Sequence, residues 1–251
     1  MTGSKEKSGR LQINSVVRGV NILTAIARSD QGLSVREIAE AIGVERQTAY
    51  HLVHTLEDTG FIARDDQRNY RLGLRVGALA EAFGRQFSAP DYMLPLVRGL
   101  AKETGETCYV VGWWRGEIVI IEVAAGANAI RAAEMPHGHY EHAHARAAGK
   151  VLLAYAATAR MAEYLLNHQP LAKLTENTIT DFKSLQAEFA RIRAEGIGYD
   201  NEEFAPGISC MAMPLEAGTA PYALALSAPS ERFHAFRETY QQKLAALVQH
   251  N

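Results

Sequence analysis

Two cysteines in 251 residues, Cys108 and Cys210, are too few for a disulfide framework and too far apart for a CxxC metal or redox pair. No apolar run approaches the roughly 18 residues that a membrane-spanning helix needs, and the opening MTGSKEKSGR lacks the apolar core of a signal peptide. The expectation is a cytoplasmic protein with no membrane partner. Net charge is close to absent as well, at −2, and neither half of the chain carries a basic tail that would announce nucleic acid. No GxSxG elbow, HExxH helix or phosphate loop is present, which argues against the common hydrolase, metalloprotease and nucleotide-binding classes. What remains is an ordinary globular composition, 47% hydrophobic and 22% charged, on a chain long enough for two domains.

The first third is helical and then turns to a hairpin. Residues 1–10 read as a mobile basic arm. Val16, Val20, Leu23 and Ala27 recur at helical spacing and predict a first helix with that stripe inward. Ser34 is an N-cap for VREIAEAI, which turns Val35, Ile38, Ala39 and Ile42 inward before Gly43. A third helix is predicted over 45–59, ended by Gly60, and FIARD and NYRL joined by the polar DQR read as a β-hairpin. Helix, helix, tight turn, helix and a two-stranded wing is the order of a winged helix-turn-helix. On the third helix Ala49, Leu52, Val53 and Leu56 share one face, and Arg46, Gln47, Tyr50, His51 and His54 share the other. A merely solvated face carries Glu and Lys; this one carries donors suited to base edges and phosphates. Residues 73–87 then keep Leu74, Ala78, Leu79, Ala82 and Phe83 on one stripe, a linker helix that either packs on its own domain or pairs with a symmetry mate.

Beyond residue 88 the texture is α/β. A helix around Leu94–Ala101 precedes strands at Thr107–Trp114, Glu117–Ala124 and Ala129–Met135. Helices follow at Ala147–Ala156, Ala159–Leu166 and Asp181–Glu195, then strands at Cys210–Leu215 and Tyr222–Ala228. A last helix from Ser230 stripes Phe233, Phe236, Tyr240, Leu244 and Leu247. An antiparallel sheet with helices on its faces is the simplest packing, so the fold class is α+β. His137, His139, His142 and His144 crowd four imidazoles around Glu141, a density that raises a metal site, although strand spacing would split them between two faces. A loop of solvated histidines is the plainer reading, and no metal or cofactor is assigned. Cys210, His144, Asp200 and Ser227 are residue types an enzyme could use, yet a receptor for a polar ligand needs the same donors. Three functional classes therefore stand beside one another: ligand receptor, metal- or cysteine-dependent enzyme, and a plain dimerisation module.

The runs SVVRGVNILTAIA, GLSVREIAEAIGVERQTAYHLVHTLEDTGFIARD and YRLG resemble the N-terminal domain of IclR-family bacterial transcription regulators. HARAAGKVLLAY, the stretch TENTITDFKSLQAEFARIRAEGIGYDNEEFAPGISCMAMPL and the strand ALALSAP are similar to that family's effector domain, so the resemblance runs through almost the whole chain. It implies a winged helix-turn-helix over 11–72, a linker helix over 73–87 and a GAF-like effector domain over 88–251, in dimers or dimers of dimers. The expectation is a ligand-responsive regulator, a repressor rather than an enzyme, with two partners: a near-palindromic double-stranded DNA operator and a small organic-acid effector. Arg46, Gln47, Thr48, Tyr50 and His51 would then read DNA from the third helix, with Arg68 and Arg71 on the wing; His51 stands where the family often has Arg. The effector pocket would take Ala147, Ala148, Asp200, Cys210 and Ser227. Two departures mark this chain, Ala225 where Ser is common and Arg146 where a small Ser or Thr is common. An inward Arg146 would clamp a carboxylate, and Trp113, with Trp114 and Tyr109, would favour an aromatic or bulky acid.

Overall fold

A computed structural model describes residues 13–86, 90–132, 138, 140–215 and 222–249. The basic arm therefore lies outside the described residues, as do His137 and His139. The chain divides into two compact units, 1–87 and 88–251.

The first unit opens with α1 (Asn14–Ala27), α2 (Val35–Ile42) and α3 (Arg46–Asp58), followed by a hairpin of β1 (Ile62–Arg64) and β2 (Tyr70–Leu72), and α4 (Leu74–Gln86). Ser34 caps α2 reciprocally with Glu37: the Glu37 amide donates to Ser34 Oγ, and the Ser34 amide donates to Glu37 Oε2 at 2.8 Å. Gly43, at φ +66°, ends α2 in the left-handed conformation that glycine adopts without a steric penalty. The core is Ile22, Ile26, Ile38, Val53, Ile62 and Tyr70, each worth roughly 1.5–3 kcal/mol when removed from water. This corrects the stripe expected for α1. Its buried face is Ile22 and Ile26, with Leu23 of the expected stripe packed against the same core, whereas Val16 and Val20 are more than half exposed, because α1 is apolar on two sides and only one meets α2 and α3. The stripe on α4 is likewise solvent-facing in this chain, with Leu74 at 95% exposure and Leu79 and Phe83 also exposed.

The second unit carries α5 (Met93–Thr104), β3 (Thr107–Trp114), β4 (Glu117–Ala124), α6 (Ala147–Tyr155), α7 (Thr158–Asn167), α8 (Phe182–Glu195), β5 (Gly198–Asn201), β6 (Ile208–Leu215), β7 (Tyr222–Pro229) and α9 (Ser230–Gln249). Among the described residues, these five strands form one antiparallel sheet in the order β4-β3-β7-β6-β5. Strand alternation sends Tyr109, Val111, Ala212, Ala223 and Ala225 into a core with α6, while α5 and α9 pack against the strands as the opposite layer. Two glycines let α6 approach closely. A Cβ at Gly149 would meet the Ala143 carbonyl oxygen at 2.3 Å, and one at Gly198 would meet Val151 Cγ2 at 2.7 Å.

Three expectations need correction here. Residues 129–132 of the strand expected at Ala129–Met135 form no strand, and the rest of it lies outside the described residues. Strand β5 was not expected: GYDN is short, polar and without alternation, and it is a strand because β6 supplies the pairing edge. On α9, Phe233, Tyr240 and Leu244 are buried, but Phe236 sits at a kink (φ −116°) and is half exposed.

Candidate functional site

The first site is on α3. Arg46, Gln47, Tyr50 and His51 are exposed together around one shallow concavity, Thr48 is half-buried beside them, and Ala49 and Val53 hold the opposite side in the core. Tyr50 is braced edge-on by His54 at 4.3 Å between ring centroids, and His54 Nδ1 lies 3.6 Å from Glu57. On the wing, Arg68 is exposed at a left-handed turn position (φ +68°), and Arg64, which sequence reading had not marked, donates from Nε to the Arg68 carbonyl. Arg71 differs. Its Nε donates to Asp65 Oδ2 at 2.9 Å and its Nη1 to the Asp30 carbonyl at 3.0 Å, so it ties the wing to the turn after α1. That bond, with the Asn69 amide, holds the Asp65 carboxyl below its usual range.

The second site is a cavity of about 460 Å³ between the sheet and the start of α6. Its floor is a rung of the sheet. Register sets Asp200 opposite Cys210 and Cys210 opposite Ser227, and the Cys210 Sγ and Ser227 Oγ lie 2.9 Å apart. The adjoining positions are small on β7 (Ala225) and large on β3 (Tyr109, Val111), so the space exists because the middle strands present little side chain there. Arg146 forms the rim at the N-cap of α6, with its guanidinium carbon 3.4 Å from the Phe204 ring centroid and 5.0 Å from that of Tyr140. In the first turn the Gly149 amide donates to Tyr140 Oη at 3.1 Å. Among the described residues the amides of Ala147 and Ala148, which also line the cavity, have no partner and present free donors beside Arg146.

Behind the rim lies a buried ionic cluster. Lys150, 1% exposed, pairs with Glu203 at 2.5 Å and Glu188 at 3.2 Å. Burial pushes the Glu203 carboxyl up to about 7 despite Lys150. Asp200 is also raised, chiefly by burial, and its Oδ1 accepts from the Glu203 amide at 2.7 Å and the Phe204 amide at 3.2 Å. It therefore shapes the loop that carries Phe204 as well as lining the cavity.

The expected pocket residues Arg146, Ala147, Ala148, Asp200, Cys210 and Ser227 all line this one cavity. Trp113 does not: it follows Val111 on the same strand face and packs edge-on against Tyr164 at 5.5 Å, and Trp114 is exposed. The aromatic walls are instead Tyr109, Tyr140 and Phe204. Sequence reading missed the last two because each lies in a loop without periodicity; an aromatic residue inside the polar run DNEEFAPG was the available signal.

For the enzyme reading, burial pushes Cys108 up to about 12 and Cys210 well above its ordinary range, so both are held as thiols and disfavoured as nucleophiles. His144 is buried, donates from Nε2 to the Ala172 carbonyl at 3.0 Å, and is lowered by burial toward the neutral form. A second cavity, about 400 Å³, gathers His142, His144 and His168, yet among the described residues no group of three His, Cys, Asp or Glu is arranged to hold a metal ion. No helix among them is long and apolar enough to cross a membrane.

Comparison with known proteins assigns both halves. The profile "IclR helix-turn-helix domain" matches residues 15–66, and "Bacterial transcriptional regulator IclR C-terminal" matches 90–250. The HTH-type transcriptional regulator BhcR of Paracoccus denitrificans is 31% identical over 92% of this chain and 81% of its own length. The transcriptional repressor IclR of Escherichia coli is 28% identical over 88% and 82%. The crystal structure of Thermotoga maritima IclR superposes with a TM-score of 0.71 at 27% identity, covering 94% of this chain and 96% of that one. An IclR homologue of Microbacterium hydrocarbonoxydans, crystallised with 4-hydroxybenzoate, shares the fold with a TM-score of 0.69 at 20% identity, covering 94% and 98%. The chain belongs to the IclR family, as a DNA-binding transcriptional regulator with a C-terminal effector domain.

Proposed function

We propose that this regulator is a repressor released or engaged by a small aromatic carboxylate, with residues 11–72 as the DNA-reading head, 73–87 as the linker and 88–251 as the effector domain. The observation that carries the effector class is Arg146. It places a permanent cation and planar donors on the rim of a cavity whose walls are mostly apolar and aromatic, beside the first-turn amides of Ala147 and Ala148. A carboxylate meets Arg146 and the amides of Ala147 and Ala148, a ring lies among Tyr109, Tyr140 and Val111, and a distal hydroxyl reaches Ser227 or Asp200. The 4-hydroxybenzoate bound by the Microbacterium homologue has this build.

On the DNA side, Arg46, Gln47, Thr48, Tyr50 and His51 enter the major groove, and Arg68 meets phosphate from the wing. The exposed apolar stripes of α1 and α4 support a cytoplasmic homodimer, or a dimer of dimers, on a near-palindromic operator with half-sites about 34 Å apart or a multiple of it. Effector occupancy shifts the operator-binding equilibrium by a coupling of about 1–3 kcal/mol. Two experiments test this. A thermal-shift screen of aromatic and aliphatic acids should give hits among the aromatic carboxylates, and those hits should change operator affinity in a mobility-shift titration; hits that leave DNA affinity untouched defeat the regulator–effector link. Arg46→Ala should weaken operator binding about 5- to 150-fold and leave acid binding intact; equal DNA affinity moves the reading surface off α3.

A further inference from the structure

The loop between β5 and β6 is held in place from several directions at once. Asp200 Oδ1 takes the amides of Glu203 and Phe204, Thr175 Oγ1 donates to the Glu202 carbonyl at 2.7 Å, and Thr178 Oγ1 donates to the Glu203 carbonyl at 2.6 Å. Lys150 grips the Glu203 carboxylate from α6. Glu202 adopts a left-handed conformation (φ +59°), a cost for a residue with a Cβ that the surrounding bonds sustain. What these bonds present is one side chain, Phe204, whose ring lies against Arg146.

A guanidinium offers two different surfaces. Its faces attract π-systems, and its edge carries the N–H donors that match a carboxylate bidentately. In this chain Phe204 covers a face at 3.4 Å, and the Tyr140 ring stands within cation–π distance at 5.0 Å. Arg146 is a long side chain with many rotamers, and ordering it ahead of binding removes an entropy cost that the ligand would otherwise bear.

We propose that Phe204 is the specificity-determining residue of the effector cavity: by stacking on Arg146 it fixes the guanidinium edge as the carboxylate-reading surface, so that the cavity selects an aromatic carboxylate over its uncharged isostere. The proposal rests on the carboxylate reading given above and deepens it. A ring that merely filled space would support charged and neutral ligands alike. A ring that positions Arg146 supports the charged one selectively.

The test is calorimetric titration of benzoate and benzamide, isosteres that differ in charge, into the full-length protein and its variants. Wild type should prefer benzoate at least tenfold. Phe204→Leu should cut that preference about fivefold, the worth of a modest cation–π contact, mainly through weaker benzoate binding. Phe204→Tyr, which keeps the ring face, should retain the preference; if Phe204→Leu fails to fold, Phe204→Met serves as the ringless variant. Arg146→Gln should abolish the preference whatever stands at 204. A preference preserved in the ringless variant but lost in Arg146→Gln overturns the role of Phe204 and leaves the carboxylate reading standing. A preference preserved in Arg146→Gln, or no saturable benzoate binding to wild type, overturns the carboxylate reading and this proposal with it.

Discussion

The two functional regions of this regulator are built on opposite principles. On the DNA-reading head the chemistry stands on the outside of a helix whose other face is core, so Arg46, Gln47, Tyr50 and His51 are exposed and weakly constrained. In the effector unit the chemistry is inside: a cavity left by small residues on the middle strands, with Lys150, Glu203 and Asp200 removed from water around it. Surface chemistry can be altered with little effect on folding, whereas buried chemistry is part of what keeps its unit folded. The two carboxyls buried at the cavity also shift in the opposite direction to those of the head, although Glu188 on the same Lys150 is lowered. Glu37 is lowered by the Ser34 amide and hydroxyl, and Asp65 by Arg71 and Asn69, whereas burial raises Asp200 and Glu203.

The sharpest way to break that contrast is Lys150→Ala. It strands Glu203 in the interior, Glu188 keeping its pairing with Arg191, and should destabilise the effector unit by about 3–5 kcal/mol, read by urea unfolding, while the head keeps its own transition. A small loss shared by both units would contradict the buried-pair account. Next is Ala225→Phe, which fills the cavity floor opposite Tyr109. It should abolish acid binding at a stability cost of about 1–3 kcal/mol and leave operator affinity of the ligand-free protein intact; retained acid binding would place the site elsewhere.

The pH dependence comes third. A carboxyl at about 7 when folded and about 4.3 when unfolded binds a proton the unfolded chain does not. Its contribution is thus present below the unfolded value and is lost as pH rises through about 7. Glu203→Gln should therefore gain on wild type in Tm as pH is raised from about 5 to about 8; a difference that is flat or falls with pH contradicts the raised carboxyl. In the head the sign reverses, since Glu37 and Asp65 contribute above the ordinary carboxylate range and lose that contribution as pH falls through their lowered values. The smallest effect is Ser34→Ala, which removes the cap of α2 and should cost the head about 1 kcal/mol, measured by thermal unfolding.

The same contrast decides what could be read without coordinates. The α3 face is legible because helical periodicity maps sequence directly onto surface: Ala49 and Val53 are buried, and Arg46 and Gln47 are not. Periodicity misled on α1, where Val16 and Val20 form an apolar stripe as regular as Ile22 and Ile26, and only packing decides between them. The cavity is not periodic at all. Asp200, Cys210 and Ser227 meet on one rung through strand register, and one of the three strands, β5, has no sequence signature. Family resemblance points to those residues, and Arg146 stands out as a departure from it. Phe204 was not reached, because nothing in the run NEEFAPG tells which way its ring points. Trp113 was misplaced for a related reason: strand alternation gives the face correctly but not how far along it the cavity extends.

If cavity and DNA surface are two sites of one equilibrium, thermodynamic linkage exposes it from the ligand's side. The measurement is the dissociation constant of one aromatic carboxylate, taken by calorimetry with the free protein and again with the protein saturated by operator DNA. The two constants should differ by about 5- to 150-fold, and the same factor should separate operator affinities with and without the acid. Identical constants for free and DNA-bound protein would contradict that linkage.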